Sequence, residues 1–537
     1  MTKLVGIDFG TSTTLIAVRD NQDATPQILP IGHGENPWMP SVVAQTSPVS
    51  VGESAIEADS QLQIRSIKSG LTRGQDWLDE QYLSIDHEQV KQYVIEILTE
   101  AKRRAEQVYP NLFSDAKFFF GCPALWSFGN RRILADVAND LGMEVDVLDV
   151  LDEPVAAGVH WVKTSWAKDK EGVSGRTLVF DAGGGTLDVA LIETSDNASP
   201  EVSVLAANSL SKSGDDVDYS IVDFLRKRDN QLGNDELTAK YLRDAARQLK
   251  EILSDENEAS VQVAQPVGKV VSLSRQELEL VIEKQVQESM RIVDRVLVES
   301  DIRISPNVAV AESRNRLPEI AKTVKNVLLV GGLSQIPLFR QRLQEMFPLA
   351  TVYSVKNPQQ AVAEGLTYAD TVIHLNMPRP PLSFVIRPGL ESAEDVIYEA
   401  FSEIVDSQGA KQGFAFLGME RSFDEYPDGT YEILCVLPNR QKTEIPLIVS
   451  KLGSSIGVKS LTVTHRLRNK NDQMFFKLYA TGEFLVRGAN ENETYRTKTW
   501  GRLAYGKDLG DIRLEIETKA GKGWSDDRND SAASSRK

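Results

Sequence analysis

The sequence predicts an α/β fold of two similar lobes followed by a β-rich region. Three observations carry this reading. First, the segments Gly6-Ile7-Asp8-Phe9-Gly10-Thr11-Ser12-Thr13-Thr14 and Phe180-Asp181-Ala182-Gly183-Gly184-Gly185-Thr186-Leu187-Asp188 nearly repeat each other in two halves of the chain. Second, strand-like and helix-like periodicities alternate through about the first 370 residues. Third, the composition changes near Asn376-Met377-Pro378-Arg379-Pro380-Pro381, beyond which apolar residues recur at every second position.

Each repeated segment begins with an apolar run, Leu4 to Ile7 or Leu178 to Phe180, whose large side chains on both faces suit a buried strand. An aspartate stands at the end of the run, and the chain then turns through glycine into hydroxyl residues. Such an aspartate can hold a hydrated Mg²⁺, and the glycines let backbone N–H groups approach a phosphate without Cβ obstruction. A single turn of this kind also suits an ordinary Gly-rich hairpin. Three successive glycines, however, lose conformational entropy that a plain turn does not require. Two such turns in corresponding places suggest a nucleotide clamped between duplicated lobes. No Gly-x-x-x-x-Gly-Lys-Ser/Thr and no Gly-x-Gly-x-x-Gly occurs, which disfavours P-loop and dinucleotide folds.

At 537 residues the chain is expected to form several domains. Its 41% hydrophobic and 26% charged residues are ordinary for a globular protein. The net charge of −17 argues against nucleic acid as the main partner. Lys102-Arg103-Arg104 reads as a solvated helix face. Two distant cysteines, Cys122 and Cys435, and five scattered histidines give neither a disulfide scaffold nor zinc spacing. The first residues lead directly into a strand and no apolar run reaches membrane-spanning length, so a cytoplasmic, reduced protein is the expectation.

Helices are read where apolar residues return every three or four positions: Val90 to Ala101, Leu242 to Leu253 and Leu278 to Leu297. Further buried strands are read at Lys117 to Phe120 and Asn326 to Val330. The prolines near residue 378 end the first region and make a stiff connector. Beyond it, Leu461, Val463, His465 and Leu467 alternate with polar residues, as do Ile512, Leu514 and Ile516. Met474 to Tyr479 and Phe484 to Arg487 flank Thr481-Gly482 as a hairpin. The Ser-, Asp- and Asn-rich tail from about Lys522 reads as disordered.

Four segments join the opening pair. Leu151-Asp152-Glu153-Pro154 puts carboxylates at a small-residue helix start, with proline in its first turn. Arg65 to Gly70 supplies Lys68 in a polar loop. Val327 to Ser334 is a third strand ending in glycines, Gly331 and Gly332. Asn357 to Gly365 carries the small-residue face of a closely packed helix. Together with Gly121-Cys122-Pro123-Ala124 and the stretch from Arg131 to Gly158, these residues resemble, in order and spacing across residues 1–372, the seventy-kilodalton heat-shock (DnaK-type) family of the actin and hexokinase-like ATPase superfamily.

The resemblance implies a two-lobed, actin-like α/β ATPase with ribonuclease-H-like duplicated lobes and a β-rich C-terminal domain. Lobe I would span about 1–175 and lobe II about 176–372, with a linker at 373–382, a partner-binding domain at 383–521 and the tail at 522–537. It also implies roles. Asp8 and Asp181 would hold Mg²⁺ through its waters. Gly10, Thr11, Ser12 and the Gly183, Gly184, Gly185, Thr186 turn would cradle the phosphates of ATP or ADP. Lys68, Glu153, Thr186 and Asp188 would serve catalysis by placing charge and water at the γ-phosphate. Adenosine would lie against Gly214, Lys250, Ser254, Gly331 and Gly332. Taken alone, Lys68 also suits a surface lysine, Glu153 a dipole-favoured helix start, and Asp188 a structural hydrogen-bonder.

The sequence departs from the family pattern in four places. Where the family has Glu-x-x-Lys-Arg-x-x-Ser, this chain has Arg247-Gln248-Leu249-Lys250-Glu251-Ile252-Leu253-Ser254, so cation stacking on the base at Glu251 is lost. Either ATP binds more weakly or the base is held differently. His374-Leu375-Asn376-Met377-Pro378 replaces the acidic-leucine linker, Ile302 to Thr323 reads as an insertion, and no helical lid follows the β-rich region. The function implied is an ATP-dependent chaperone or chaperone-like switch that binds a protein client or regulatory partner through that region. An actin-like filament or regulatory ATPase is the alternative, and a sugar-type kinase a further one.

Overall fold

Both copies of the repeated segment form a hairpin whose first strand is paired on its far side by a parallel strand, and the two lobes are built around these hairpins. The structure is a computed structural model that describes residues 2–374, apart from 22–23, 75, 79–84, 197–199, 234, 266, 305–309, 356 and 370–371. Beyond 374 it describes the strand segments between 383 and 520, with 399–401. The proposed linker residues 375–382, the tail 522–537, the Thr481-Gly482 turn, His465, Leu467 and Ile512 lie outside the described residues.

In the first lobe, β1 (Lys3–Phe9) pairs antiparallel with β2 (Thr13–Arg19), and β2 pairs antiparallel with Gln27–Ile28. On its other side β1 pairs parallel with β3 (Ala116–Cys122), which pairs parallel with β4 (Val150–Asp152). In the second lobe, β5 (Gly175–Ala182) pairs antiparallel with β6 (Leu187–Thr194), and β6 with β7 (Val202–Leu210). On its other side β5 pairs parallel with β8 (Val324–Val330), which pairs parallel with β9 (Thr351–Ser354). The two sheets therefore share one strand order and one set of directions. Their hairpin turns close alike: Gly10 N–H donates to Thr13 O at 2.9 Å, and Gly183 N–H to Thr186 O at 3.0 Å.

The central strands are buried along almost their whole length, as their apolar runs on both faces require. Helices cover them: α1 (Ile67–Arg73), α2 (His87–Val108), α3 (Phe128–Asp140), α4 (Glu153–Ser165), α5 (Gly214–Arg228), α6 (Glu236–Asp255), α7 (Arg275–Ile304), α8 (Pro337–Met346) and α9 (Ala361–Leu366). The α2 stripe of Val90, Tyr93, Val94, Ile97, Leu98 and Ala101 is buried, and Asp86 caps that helix in a box with Gln89. Of the basic run on α2, only Arg103 lies exposed. Lys102 donates to Leu141 O at 2.7 Å, and Arg104 is ion-paired with Glu53 and Glu100 at 2.7 Å. The expected solvated face is therefore partly a packing surface, because Arg104 also reaches Ile31 O across the lobe.

Two helices exchange lobes. Helix α4 follows the first-lobe strand β4 but packs on β5, β6 and β7, while α9 packs on β1, β2 and β3. The two cross each other closely. A Cβ on Gly365 of α9 would fall onto the Ala156 carbonyl of α4, and one on Gly6 of β1 would fall onto the Ala363 carbonyl. Arg19, buried on β2, donates through Nε (3.0 Å) and Nη2 (2.6 Å) to Thr367 O just past α9. Its guanidinium also stacks on Tyr368, 4.4 Å from the ring centre. The cation thus meets the negative end of α9 as well as its last carbonyls.

Residues 297–317 and 373–537 form a second unit. Its described strands belong to an 11-stranded sheet that is mostly antiparallel. Gln473–Tyr479 pairs with Phe484–Arg487, matching the expected hairpin, and with Phe416–Ser422. Glu444–Lys451 and Arg513–Ala520 pair in parallel.

Replacing Gly365 by alanine is expected to lower the first unit's unfolding free energy by about 2–3 kcal/mol, the cost of overpacking a backbone contact, and so to lower its urea midpoint. Urea unfolding followed by circular dichroism checks this, and an unchanged midpoint would show slack in the α4–α9 crossing.

Candidate functional site

The two hairpin turns face each other at the mouth of a cleft of about 660 Å³ between the lobes. There is no room for side chains where they meet. A Cβ on Gly184 would come within 2.7 Å of Ser12 Oγ, and one on Gly185 within 2.7 Å of Thr11 Oγ1. Gly331, at φ 77°, presses its backbone against Ala182 O and the Asp181 carboxylate, a position only glycine fills without strain.

Asp8, Gly10, Thr11, Ser12, Lys68, Glu153, Asp181, Gly183, Gly184, Thr186, Asp188, Gly214, Lys250, Ser254, Gly331 and Gly332 all line this one cleft. Gly185 lies behind the wall, packed on Ser69 and Thr11. The sequence reading missed Trp38, Asp215, Asp255, Gln335 and Gln359, which also line the cleft. Gln335 follows the Gly331-Gly332 turn and Gln359 the Asn357-Pro358 pair, so each stood beside a recognised signal.

Lys68 differs from the expectation of a polar loop. It lies in the first turn of α1, is only 3% exposed and forms an ion pair with Glu153. Ser66 makes this possible: its backbone is left-handed (φ 60°, ψ 35°), which turns the chain into α1 with Lys68 facing inward. Glu153 is the first residue of α4, with Pro154 in the first turn. Behind it, buried Arg131 of α3 pairs with Asp152 and donates to Val150 O at 2.6 Å. Asp152 is thereby satisfied separately, and Lys68 remains for Glu153.

Four carboxylates, Asp8, Glu153, Asp181 and Asp188, share this space with Lys68 as the cation they act on. Burial, and then the Glu153 charge, lift Asp8 to about 7, with Lys68 working against the rise. Burial and Glu153 likewise lift Asp188 to about 7, although Thr186, Ala124 and Ser209 donate hydrogen bonds to it. The Ala124 N–H bond is 2.7 Å long and ties β6 of one lobe to the chain after β3 of the other. Asp181 is raised well above the usual carboxylate range, by burial first and then by Glu153, Asp188 and Asp8. Burial would lower Lys68, but Glu153 and Asp8 outweigh it and hold the ammonium above its ordinary value.

Buried acids in such excess suit a divalent cation. Among the described residues no group of three or more His, Cys, Asp or Glu is placed to hold an ion directly. That donor set fits Mg²⁺, which keeps several waters and takes one or two carboxylates together with phosphate oxygens.

The lobes are also joined at the cleft's outer edge. Ser66 Oγ donates to Asp215 Oδ2 at 2.5 Å, and Lys240 Nζ to Gln61 O at 3.2 Å. Arg65 and Asp244 approach to 3.8 Å, and Arg73 and Asp216 to 3.9 Å. On α6 the charges are already engaged. Lys250 donates to Gly214 O at 2.7 Å and lies 2.5 Å from Asp218, and Arg247 lies 3.4 Å from Asp215 and from Asp218. The Asp218 oxygens meet both cations off the hydrogen-bond direction.

This arrangement is that of the actin-like two-lobed α/β ATPases. A model of the family described as Hsp70 protein matches residues 4–378, and the chain belongs to that family. Among curated relatives, the chaperone protein DnaK of Thermosipho africanus (strain TCF52B) is 28% identical over 381 residues, covering 67% of this chain and 58% of the relative. DnaK of Thermosipho melanesiensis is 27% identical over 381 residues and that of Thermotoga neapolitana 28% over 382, with the same shares covered. The match thus spans less than two thirds of these relatives' length. Among the described residues no helix is long and apolar enough to cross a membrane.

The raised acids also carry a stability consequence. A carboxyl lifted from 3.8 to about 7 keeps its proton in the fold after the unfolded chain has lost it. Its stabilising contribution is full below about pH 4 and is lost as pH rises through 7. Asp188→Asn is therefore expected to raise the melting temperature at pH 8 and to leave it nearly unchanged at pH 4. Scanning calorimetry of protein dialysed free of nucleotide and metal checks this, and equal shifts at both pH values would refute it.

Proposed function

We propose that the chain is an ATP-hydrolysing switch of the chaperone type, turning Mg·ATP and water into ADP and phosphate. The observation that carries this reading is the convergence of two glycine turns, four carboxylates, three of them buried, and one buried lysine on one interlobe cleft. Phosphoryl transfer depends on positioning and charge neutralisation more than on covalent chemistry, and these residue types supply both.

In this reading the turns at Gly10–Ser12 and Gly183–Thr186 hold the phosphates through backbone N–H groups and hydroxyls. Asp8 and Asp181 hold the hydrated Mg²⁺, which when bound neutralises phosphate charge. Lys68 faces the γ-phosphate and positions the attacking water, with Glu153 fixing the lysine. Asp188 and Thr186 order the same region. Turnover is slow, because a switch works by holding its states. The lobes of residues 1–372 close on nucleotide, and a linker near 373–382 transmits the change to a client- or partner-binding domain at 383–521.

Asp8→Ala and Asp181→Ala are each expected to lower Mg·ATP turnover by about 100-fold or more, the scale of losing one charge-stabilising group at a transition state. Phosphate release by the full-length protein measures it, and turnover at the wild-type rate in either variant would refute the site. Limited proteolysis with and without Mg·ATP tests the coupling. Nucleotide-dependent cleavage near 374–382 is expected, and identical patterns would show an uncoupled ATPase.

A further inference from the structure

The two helices that exchange lobes carry a titratable pair at their crossing. His160 of α4 and Glu364 of α9 face each other with Nε2 3.3 Å from Oε2, and their side chains are 13% and 20% exposed. Helix α4 lies on the second lobe's sheet and α9 on the first, so rotation of one lobe against the other moves this pair. Among the described residues no lysine or arginine is ion-paired with Glu364. Val179 of β5 and Ile192 of β6 meet α4 at Gly158, and β1 and β3 meet α9 at Gly6 and Gly121, all uncharged. Arg19 of β2 is taken up by Thr367 O and by the ring of Tyr368, just past α9. Lys163 stands in the last turn of α4, and Lys170 beyond that helix lies over Trp166, 5.5 Å from its ring.

Burial decides which partner takes a proton. His160 Nδ1 is buried and has no hydrogen-bond partner among the described residues. An N–H there would be an unpaired donor away from water, whereas one on Nε2 lies within hydrogen-bond distance of the carboxylate. The neutral imidazole therefore carries its hydrogen on Nε2, and a second ring proton would bury an unpaired donor. Burial also pulls His160 down to about 4 and lifts Glu364 to about 7.

We propose that Glu364 is a proton-operated catch on the interlobe crossing, secured when neutral and loosened when ionised, with His160 as its fixed neutral partner. Ionised Glu364 is a half-buried charge between helices of two lobes with no cation to answer it, and parting the pair returns that charge to water. Neutral Glu364 has no such drive. Held at about 7, this carboxyl contributes fully below its ordinary 4.5, and the contribution is lost as pH rises through 7. The catch needs no nucleotide in the cleft.

Hydrogen exchange of the nucleotide-free, full-length protein tests this at the amides of α4 and α9 between about pH 6 and pH 8, corrected for the intrinsic pH dependence of exchange. Protection in the wild type is expected to fall about tenfold over this range, the linkage of one group held at about 7. Asp8 and Asp188 titrate in the same range, so the readout is the difference from Glu364→Gln, which keeps both acids. That variant is expected to lose the tenfold fall, and an equal fall in both proteins would overturn the proposal. Nitrogen NMR of the wild type labelled at its five histidines needs no variant. One ring is expected to keep an unprotonated Nδ1 down to about pH 5.5 while shifting slightly near pH 7. Imidazolium formation at all five by about pH 6 would overturn the proposal. Either failure leaves the ATPase reading standing, because neither measurement contains nucleotide.

Discussion

The buried ion pair between Lys68 and Glu153 is the constraint around which the cleft is built. One ammonium lies among Asp8, Glu153, Asp181 and Asp188, and removing it would leave carboxylates stranded away from water. Much of the neighbouring structure follows from this requirement. Ser66 takes a left-handed backbone so that α1 can turn Lys68 inward. Arg131 satisfies Asp152, so two adjacent acids do not compete for one lysine. Pro154 starts α4 where Glu153 must face the cleft. Each is a local choice with little meaning alone, and together they hold one charge in place.

The same charges set the fold against itself. Acids lifted to about 7, as Asp8 and Asp188 are, or well above the ordinary carboxylate range, as Asp181 is, are uncomfortable in the folded protein near neutral pH. The strain is shared between lobes, since Asp188 on β6 accepts from Ala124 on the opposite side. The outer contacts, Ser66 with Asp215 and Arg65 with Asp244, bind the rims of the same cleft. Ser66 is buried, whereas Arg65 and Asp244 are partly exposed and 3.8 Å apart, so that ion pair contributes modestly, about 0–1 kcal/mol.

Much of this was legible in the chain. The Asp8 and Asp181 turns marked two matching hairpins, because glycine and aspartate requirements are local and survive translation into sequence. The buried strands and the α2, α6 and α7 stripes followed from periodicity. The state of Lys68 was not legible: its flanking serines and arginine look like a surface loop, and only Glu153, far along the chain, turns it into a core residue. Lys250 was placed on the cleft wall, but its engagement by Asp218 depends on how α5 and α6 pack. Nor could the sequence show that α4 and α9 exchange lobes, since neither carries a signal for which sheet it covers.

That exchange has a mechanical consequence. Helices usually meet by interlocking side-chain ridges and grooves, which restricts them to a few crossing angles. At Gly365 and Ala156, α9 and α4 meet backbone to backbone, and beside this contact His160 of α4 lies 3.3 Å from Glu364 of α9. Where two backbones touch there is no side chain to yield, so the spacing of the helices is fixed at this point. The crossing leaves a clearance too small to admit even one extra methyl group.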